Sequence, residues 1–299
     1  MLESLRATLD GVAGNALAWL HARGLSFQPP RSDSRRRIPI LSFHRVSRLR
    51  PEHWMTISPE TFERLMRAVK RRYRIVSLEE VDRLLASGED VGPTTAVSFD
   101  DAYGCNHTYA VPVLRKLEIP ATFFVSSEFV DSRTPFPHDV RRGFHDIPSF
   151  TSAQLREMAT DSSLEIGSHS VSHVDFSTRP ATETIARELS ESRSALEAIT
   201  GRPVRRFAIP FGGRAHCTPE VIRAARELGY ERLYSFFGGS NLIAPDGRVA
   251  FVLNRLGPVR FAPSYVFAMC EGYEGRQAFS PRRRPAPNPP SPDFQPSGF

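Results

Sequence analysis

Apolar residues fall along this chain in two alternating rhythms. Short unbroken runs read as strands buried on both faces: IPILSFH at 38–44, TAVSF at 95–99, ATFFV at 121–125, LEIG at 164–167 and RFAIP at 206–210. ERLYS, 231–235, closes the series. Between these runs the apolar residues recur at helical spacing. Ser58 followed by Pro59 predicts a helix through about Arg72, with serine capping free amides and proline at the first helical position. SLEE, 77–80, and TSAQ, 151–154, have the capping-box form, and the first opens a helix through Leu85. A helix to about Leu117 follows TAVSF, and a long one over 181–199 stops near Gly201. Thr218-Pro219 starts another, which Gly229 ends. Short apolar strands with intervening helices imply parallel βα units. At this size a barrel is the natural closure and an open sheet is the alternative; either form puts reactive residues at the carboxyl ends of the strands.

The two ends break this rhythm. Leu2, Leu5, Leu9, Val12, Ala16 and Leu20 recur at helical spacing and predict an amphipathic helix. An arginine-rich linker, SFQPPRSDSRRRI, follows it, and residues 275–299 have the proline-rich, apolar-poor composition of a disordered tail. The expected organisation is therefore a helix and linker over 1–37, a globular α/β domain over 38–274 and a tail over 275–299. The formal net charge of +6 owes much to arginine triplets at 35–37 and 282–284. A basic surface suits nucleic acid, anionic lipid or an acidic polymer. No zinc knuckle or RNP-like run is present, so a nucleic-acid partner is not expected. Cys105, Cys217 and Cys270 are far apart and form no CxxC pair, which argues against a disulfide framework or a cysteine zinc site. No window approaches the roughly 18 apolar residues of a transmembrane helix. Glu3, Arg6 and Asp10 interrupt any signal-peptide pattern. A cytoplasmic or membrane-associated protein is expected, with the N-terminal helix docked on its own domain or making peripheral membrane contact.

The strand ends carry the chemistry. TAVSF ends in Asp100-Asp101, LEIG leads to Ser168-His169 with His173 four positions on, RFAIP ends in Pro210-Phe211-Gly212-Gly213, and the first strand ends in His44. Alone, adjacent aspartates fit a solvated turn or helix cap better than a division of labour, one carboxylate binding a cation and the other acting as base. Alone, HSVSH fits a wet turn or a ligand pair sharing one face of a helical turn. With a carboxylate from another strand end it makes a His₂Asp set, and three protein ligands with an open position describe a catalytic zinc site. The metal lowers the pKa of water, and a nearby carboxylate can take its proton.

FDD at 99–101, HSVSH at 169–173 and FAIPFGG at 207–213 resemble, in order and spacing, the polysaccharide deacetylase family, carbohydrate esterase family 4 with its NodB-type domain. SFHRV at 42–46 resembles the entry strand of one branch, which places its general-acid histidine near the N-terminus. The resemblance covers roughly residues 38 to 260 and implies a distorted (β/α) barrel. It also implies a metal-dependent hydrolase of carbon–nitrogen bonds other than peptide bonds, removing acetyl from an N-acetylated sugar or polysaccharide. By resemblance, Asp100 is the base. Asp101, His169 and His173 hold a divalent metal, expected to be Zn²⁺. The Phe211 N–H, beside Pro210 and where the family usually has tyrosine, helps the oxyanion. No histidine follows His216, so the acid role passes to His44. Two departures stand out: FDDG is here FDDA with Ala102, and Ala208 stands where the motif arginine is usual. Arg255 in LNRLG is the candidate replacement. His107, His138, His145 and His216 are expected to be ordinary loop histidines, and the aromatics at 234–237 core residues. Two rivals remain: hydrolysis of a non-sugar amide, and a non-catalytic module binding glycan in the same cleft.

Overall fold

A computed structural model of the chain describes residues 37–48, 54–132, 134–258 and 261–271. The expected N-terminal helix, its linker up to residue 36 and the expected tail lie outside the described residues. Seven strands run parallel in chain order: β1 (Ile40–Phe43), β2 (Thr94–Phe99), β3 (Ala121–Val125), β4 (Leu164–Ser168), β5 (Arg206–Ala208), β6 (Arg232–Tyr234) and β7 (Val252–Leu253). Each pairs with the next, for example Ile40 with Ala96 across β1 and β2, and Phe123 with Ile166 across β3 and β4. The sheet curls until the chain just beyond β7 meets β1. There Leu41 and Leu256 form a parallel bridge, with Ser42 N–H donating to Leu256 O and Leu256 N–H to Ile40 O, both at 2.8 Å. This narrow seam is what makes the (β/α) barrel distorted.

The helices are α1 (Pro59–Arg72), α2 (Leu78–Ser87), α3 (Cys105–Lys116), α4 (Pro137–Val140), α5 (Ser152–Ala159), α6 (Thr182–Thr200), α7 (Pro219–Glu227) and α8 (Pro263–Cys270). Their starts follow the capping residues. Ser58, Ser77, Thr151 and Thr218 accept from the N–H groups of Thr61, Glu80, Gln154 and Val221. The box at Thr151 is complete. The expected box at Ser77 is half-formed, because the Glu80 carboxylate pairs instead with Arg74 and Arg83.

Successive side chains of a strand point to opposite faces. Leu41, Val97, Phe99, Phe123, Ile166 and Phe207 join the apolar helix faces in the larger core. Ile40, Ala96, Phe124, Ala208, Tyr234 and Leu253 form a second core inside the barrel, sealed at its amino end by Leu78, Val81, Leu84 and Leu85 of α2. Asp82 of the same helix binds Arg206 at 3.0 Å and Arg232 at 2.8 Å, and Glu165 binds Arg206 at 2.6 Å. The amino end of the barrel is thus closed by apolar contact and ion pairs, and the carboxyl end is left open. Among the described residues, no helix is long and apolar enough to cross a membrane.

Gly167 lets the Phe124 ring fill this interior. A Cβ there would lie 2.5 and 2.6 Å from two ring carbons of Phe124, inside contact distance. Gly167→Ala is expected to overpack the barrel and destabilise it by ~1–3 kcal/mol, read as a lower midpoint in urea unfolding. An unchanged midpoint would show that Phe124 has slack to move.

Candidate active site

Asp100 and Asp101 leave the end of β2 in opposite directions. Asp100 continues the inward alternation of Ser98. Asp101 has φ of 71°, a left-handed conformation that is strained for a residue with a Cβ and turns its carboxylate toward the loop after β4. The two buried carboxylates therefore meet different partners.

Asp100 pairs with Arg255, and its Oδ2 accepts from Ser42 Oγ at 3.3 Å. Arg255 comes from just beyond β7 and is buried. Its Nε donates to Ser235 O at 3.2 Å, and its guanidinium lies 5.1 Å from the Phe124 ring centre. Arg255, two strands along from Ala208 of β5, is thus in reach of Asp100. Burial opposes ionisation of Asp100, but the charges of Arg255, His169 and His44 and the Arg255 hydrogen bond outweigh it. The carboxyl stays below its usual range.

Asp101 Oδ1 lies 3.3 Å from His173 Nε2 and 3.7 Å from His169 Nε2. Burial again opposes its charge, and the His173 hydrogen bond with the charges of His173, His44 and His138 holds the carboxyl far below the ordinary value. His169 donates from Nδ1 to Ala208 O at 2.8 Å, which leaves the Nε2 lone pair facing Asp101. Burial pulls His169 down to about 4, so its imidazole is neutral, as a metal ligand must be. Ligand atoms of Asp101, His169 and His173 lie within 4.8 Å of one another. Asp101 Oδ2 is buried with no hydrogen-bond partner. One carboxylate, two imidazoles and an unsatisfied oxygen fit a divalent cation such as zinc.

The helical turn expected over His169 to His173 is absent. Residues 169–175 are a loop, and left-handed φ values of 65° at Ser170 and 57° at His173 bring the second imidazole back over Asp101. A helix keeps φ negative throughout, so the spacing places the pair by another route. Glu188 of α6 holds this loop. Its buried carboxylate accepts from Val171 N–H, Ser172 N–H and Ser172 Oγ, each at 2.9 Å. The sequence does carry a signal for Glu188: it falls on the buried stripe of α6 with Ile185, Leu189 and Leu196, where a charge needs partners.

A pocket of about 220 Å³ opens over these groups, lined by His44, Trp54, Asp100, Asp101, His138, Arg142, His169, His173, Phe211, Phe236 and Arg255 among others. His44 Nδ1 is buried and unpaired, so Nε2 is the nitrogen that meets the pocket. Burial lowers its pKa, against the charges of the two aspartates. The His44 ring stands edge-on to Trp54 and Phe236, at 5.3 and 6.0 Å between centres. Phe236 keeps its place because Gly257 has no Cβ; one there would sit 2.0 Å from Phe236 Cζ. Trp54 and Phe211 are 41% and 44% exposed at the mouth. Phe211 has φ of 58°, and its N–H has no acceptor among the described residues. Pro210 is buried behind the wall, its carbonyl accepting from Gly212 N–H at 2.6 Å.

Two expectations need correction. His138 is no ordinary loop histidine: it lines the pocket with Nε2 3.8 Å from Asp101 Oδ2. Of the aromatics at 234–237, Tyr234 belongs to the core but Phe236 lines the pocket. The side chain after a strand end escapes the alternation that sorts core from surface. Trp54 and Arg142 were not singled out either, and their loops carry no motif.

A barrel with an arginine-tied aspartate beside an Asp-His-His cluster at its open end defines the class of site. Residues 87–233 match the family model described as polysaccharide deacetylase. It is similar to YxkH of Bacillus subtilis (strain 168), whose name also refers to polysaccharide deacetylase, with 23% identity over 65% of this chain and 63% of YxkH. It is 28% identical to the peptidoglycan-N-acetylmuramic acid deacetylase PdaA of the same strain, over 47% of this chain and 46% of PdaA. The chain thus spans less than two thirds of either relative. Its fold is that of Streptococcus pyogenes deacetylase PplD, with a TM-score of 0.64 at 20% identity, covering 78% of this chain and 98% of PplD. IcaB from Ammonifex degensii gives 0.64 at 21% identity, over 79% of this chain and 97% of IcaB.

Glu188→Ala leaves two loop N–H groups without their acceptor. It is expected to cost at least about 2 kcal/mol of stability, read by urea unfolding, and to weaken zinc binding in chelator competition. Unchanged values for both would mean that the loop holds itself.

Proposed function

We propose that this protein is a metal-dependent hydrolase that removes acetyl groups from an N-acetylated sugar or polysaccharide. The observation that carries the reading is the unlike treatment of two adjacent aspartates. One is tied to a buried arginine and the other faces two imidazoles, both on the floor of an aromatic-walled pocket. The family-model match and the name of PdaA point to an acetylated glycan as the substrate class.

Asp101, His169 and His173 would hold the divalent metal, for which zinc suits the donors. When bound, the ion supplies Lewis acidity, lowering the pKa of water and polarising the acetyl carbonyl. Asp100, ionised through Arg255, takes the proton of the attacking water. The Phe211 N–H stands ready as a donor to the oxyanion that forms as the carbonyl carbon becomes tetrahedral. His44 Nε2 gives a proton to the sugar nitrogen as the carbon–nitrogen bond breaks, so the amine leaves neutral with acetic acid; the acid loses its proton to water as acetate, and the proton held by Asp100 is returned to His44 through solvent. Trp54, Phe211 and Phe236 flank the sugar and keep bulk water from the reacting atoms.

The direct test is acetate release from a panel of N-acetylated oligosaccharides by the zinc-loaded protein. Asp100→Asn and His169→Ala are each expected to lower the rate at least about 100-fold, and a chelator to abolish it. Full activity in both variants would sink the mechanism. No acetate from any glycan, with release from simple amides, would move the substrate outside sugars.

The pH profile carries a second test. A base works only while ionised, so the rate falls on the acid side as pH drops through the pKa of Asp100. Arg255 helps hold that pKa below its ordinary value. Arg255→Gln removes the opposing charge and is expected to move the acid limb of kcat/KM to higher pH, with the greatest loss at low pH. An unmoved limb would separate Arg255 from the base.

A further inference from the structure

Beneath the pocket lies a buried polar chain that the proposed reaction does not use. It begins at Arg45, between β1 and α1. Arg45 is 1% exposed, with Nε donating to Thr56 Oγ1 at 3.1 Å and Nη1 paired with Asp139 Oδ1 at 2.7 Å. Asp139, in α4, is fully buried. Its other oxygen accepts from the Tyr103 hydroxyl at 2.7 Å, and the Tyr103 oxygen lies 3.0 Å from His138 Nε2. The Arg45 guanidinium also lies over the Tyr103 ring, 4.8 Å from its centre.

The hydrogens along this chain can be assigned by counting donors. Asp139 is paired with an arginine and accepts at both oxygens. Tyr103 has one hydroxyl hydrogen and spends it on Asp139, so toward His138 its oxygen can only accept. His138 Nε2 must therefore carry a hydrogen. The same nitrogen lies 3.8 Å from Asp101 Oδ2 and 3.9 Å from Asp139 Oδ2, so every oxygen around it is an acceptor. A nitrogen that bears hydrogen has no lone pair to offer a metal. Yet it faces the one buried oxygen of Asp101 that has no hydrogen-bond partner. Phe136 stacks on the His138 ring at 5.3 Å and restrains its tilt.

We propose that His138 is a positioning residue for the metal site: its Nε2–H, donated to Tyr103 and fixed through Asp139 and Arg45, stands 3.8 Å from Asp101 Oδ2 and steers that carboxylate by its partial positive charge, without a hydrogen bond to it and without ligating the ion. The inference rests on the metal reading given above and deepens it. A positive group behind a ligating carboxylate biases which oxygen the ligand offers, and losing an outer partner of a ligand typically costs 10–100-fold in metal affinity.

The experiment uses the full chain loaded with zinc. Chelator competition is expected to show His138→Ala binding zinc roughly 10- to 100-fold more weakly than wild type. His138→Gln, which keeps an N–H donor, should recover part of the loss. Tyr103→Phe removes one hydroxyl and should weaken binding in the same direction, and it serves if His138→Ala does not fold. X-ray absorption at the zinc edge should count two imidazoles per zinc in wild type and in His138→Ala alike. Three imidazoles falling to two would make His138 a ligand and overturn the proposal. Equal zinc affinity in all four proteins would also overturn it while leaving the metal reading intact. Wild type binding less than one zinc would overturn both.

Discussion

Two aspartates next to each other in the chain must both stay ionised in a buried site. Two such charges side by side in low dielectric would normally force one to take up a proton. The barrel avoids this by separating their company. Asp100 points into the barrel and meets Arg255; Asp101 turns away through a left-handed backbone and meets His169 and His173. Most of the surrounding architecture serves that separation. Ser42 braces the first carboxylate, Phe124 lies beneath the arginine, and the Ala208 carbonyl sets the tautomer of His169.

The Arg255–Asp100 pair shows how a barrel brings distant strands together. Strand ends converge on one rim, so a side chain beyond β7 can reach an aspartate after β2 with β1 alone between them among the described strands. The Leu41–Leu256 seam brings those edges together. Closure of the sheet is thus a condition of this buried ion pair as well as of stability, since an open sheet would leave Arg255 and Asp100 far apart.

How much was legible in the sequence follows from how local each signal is. The strands were legible because parallel strands covered on both faces read as unbroken apolar runs. The helix starts were legible because caps act within four residues. Asp101, His169 and His173 were legible as a set because strand ends meet at one rim. Their loop was not: HSVSH has helical spacing, and its left-handed turns are held by groups from other elements, the Glu188 carboxylate and the N–H groups of Ser127 and Glu128 among them. His138 was illegible for a similar reason. It sits in a four-residue helix without a motif, and what anchors that helix is the ion pair of the neighbouring Asp139 with Arg45, 94 positions away in the chain.

The pocket wall at Phe236 is set by the hydrogen on Gly257. The nearest atom that would stand there is a single carbon, and the ring it would push against also lies beside His44 and the Arg255 guanidinium, 6.0 and 5.9 Å away. The width of the cleft and the electrostatics of its floor are therefore coupled through one ring. A lineage carrying this barrel that drifts at codon 257 alters the girth of what the cleft admits and, in the same step, moves the ring that flanks two of its ionisable groups.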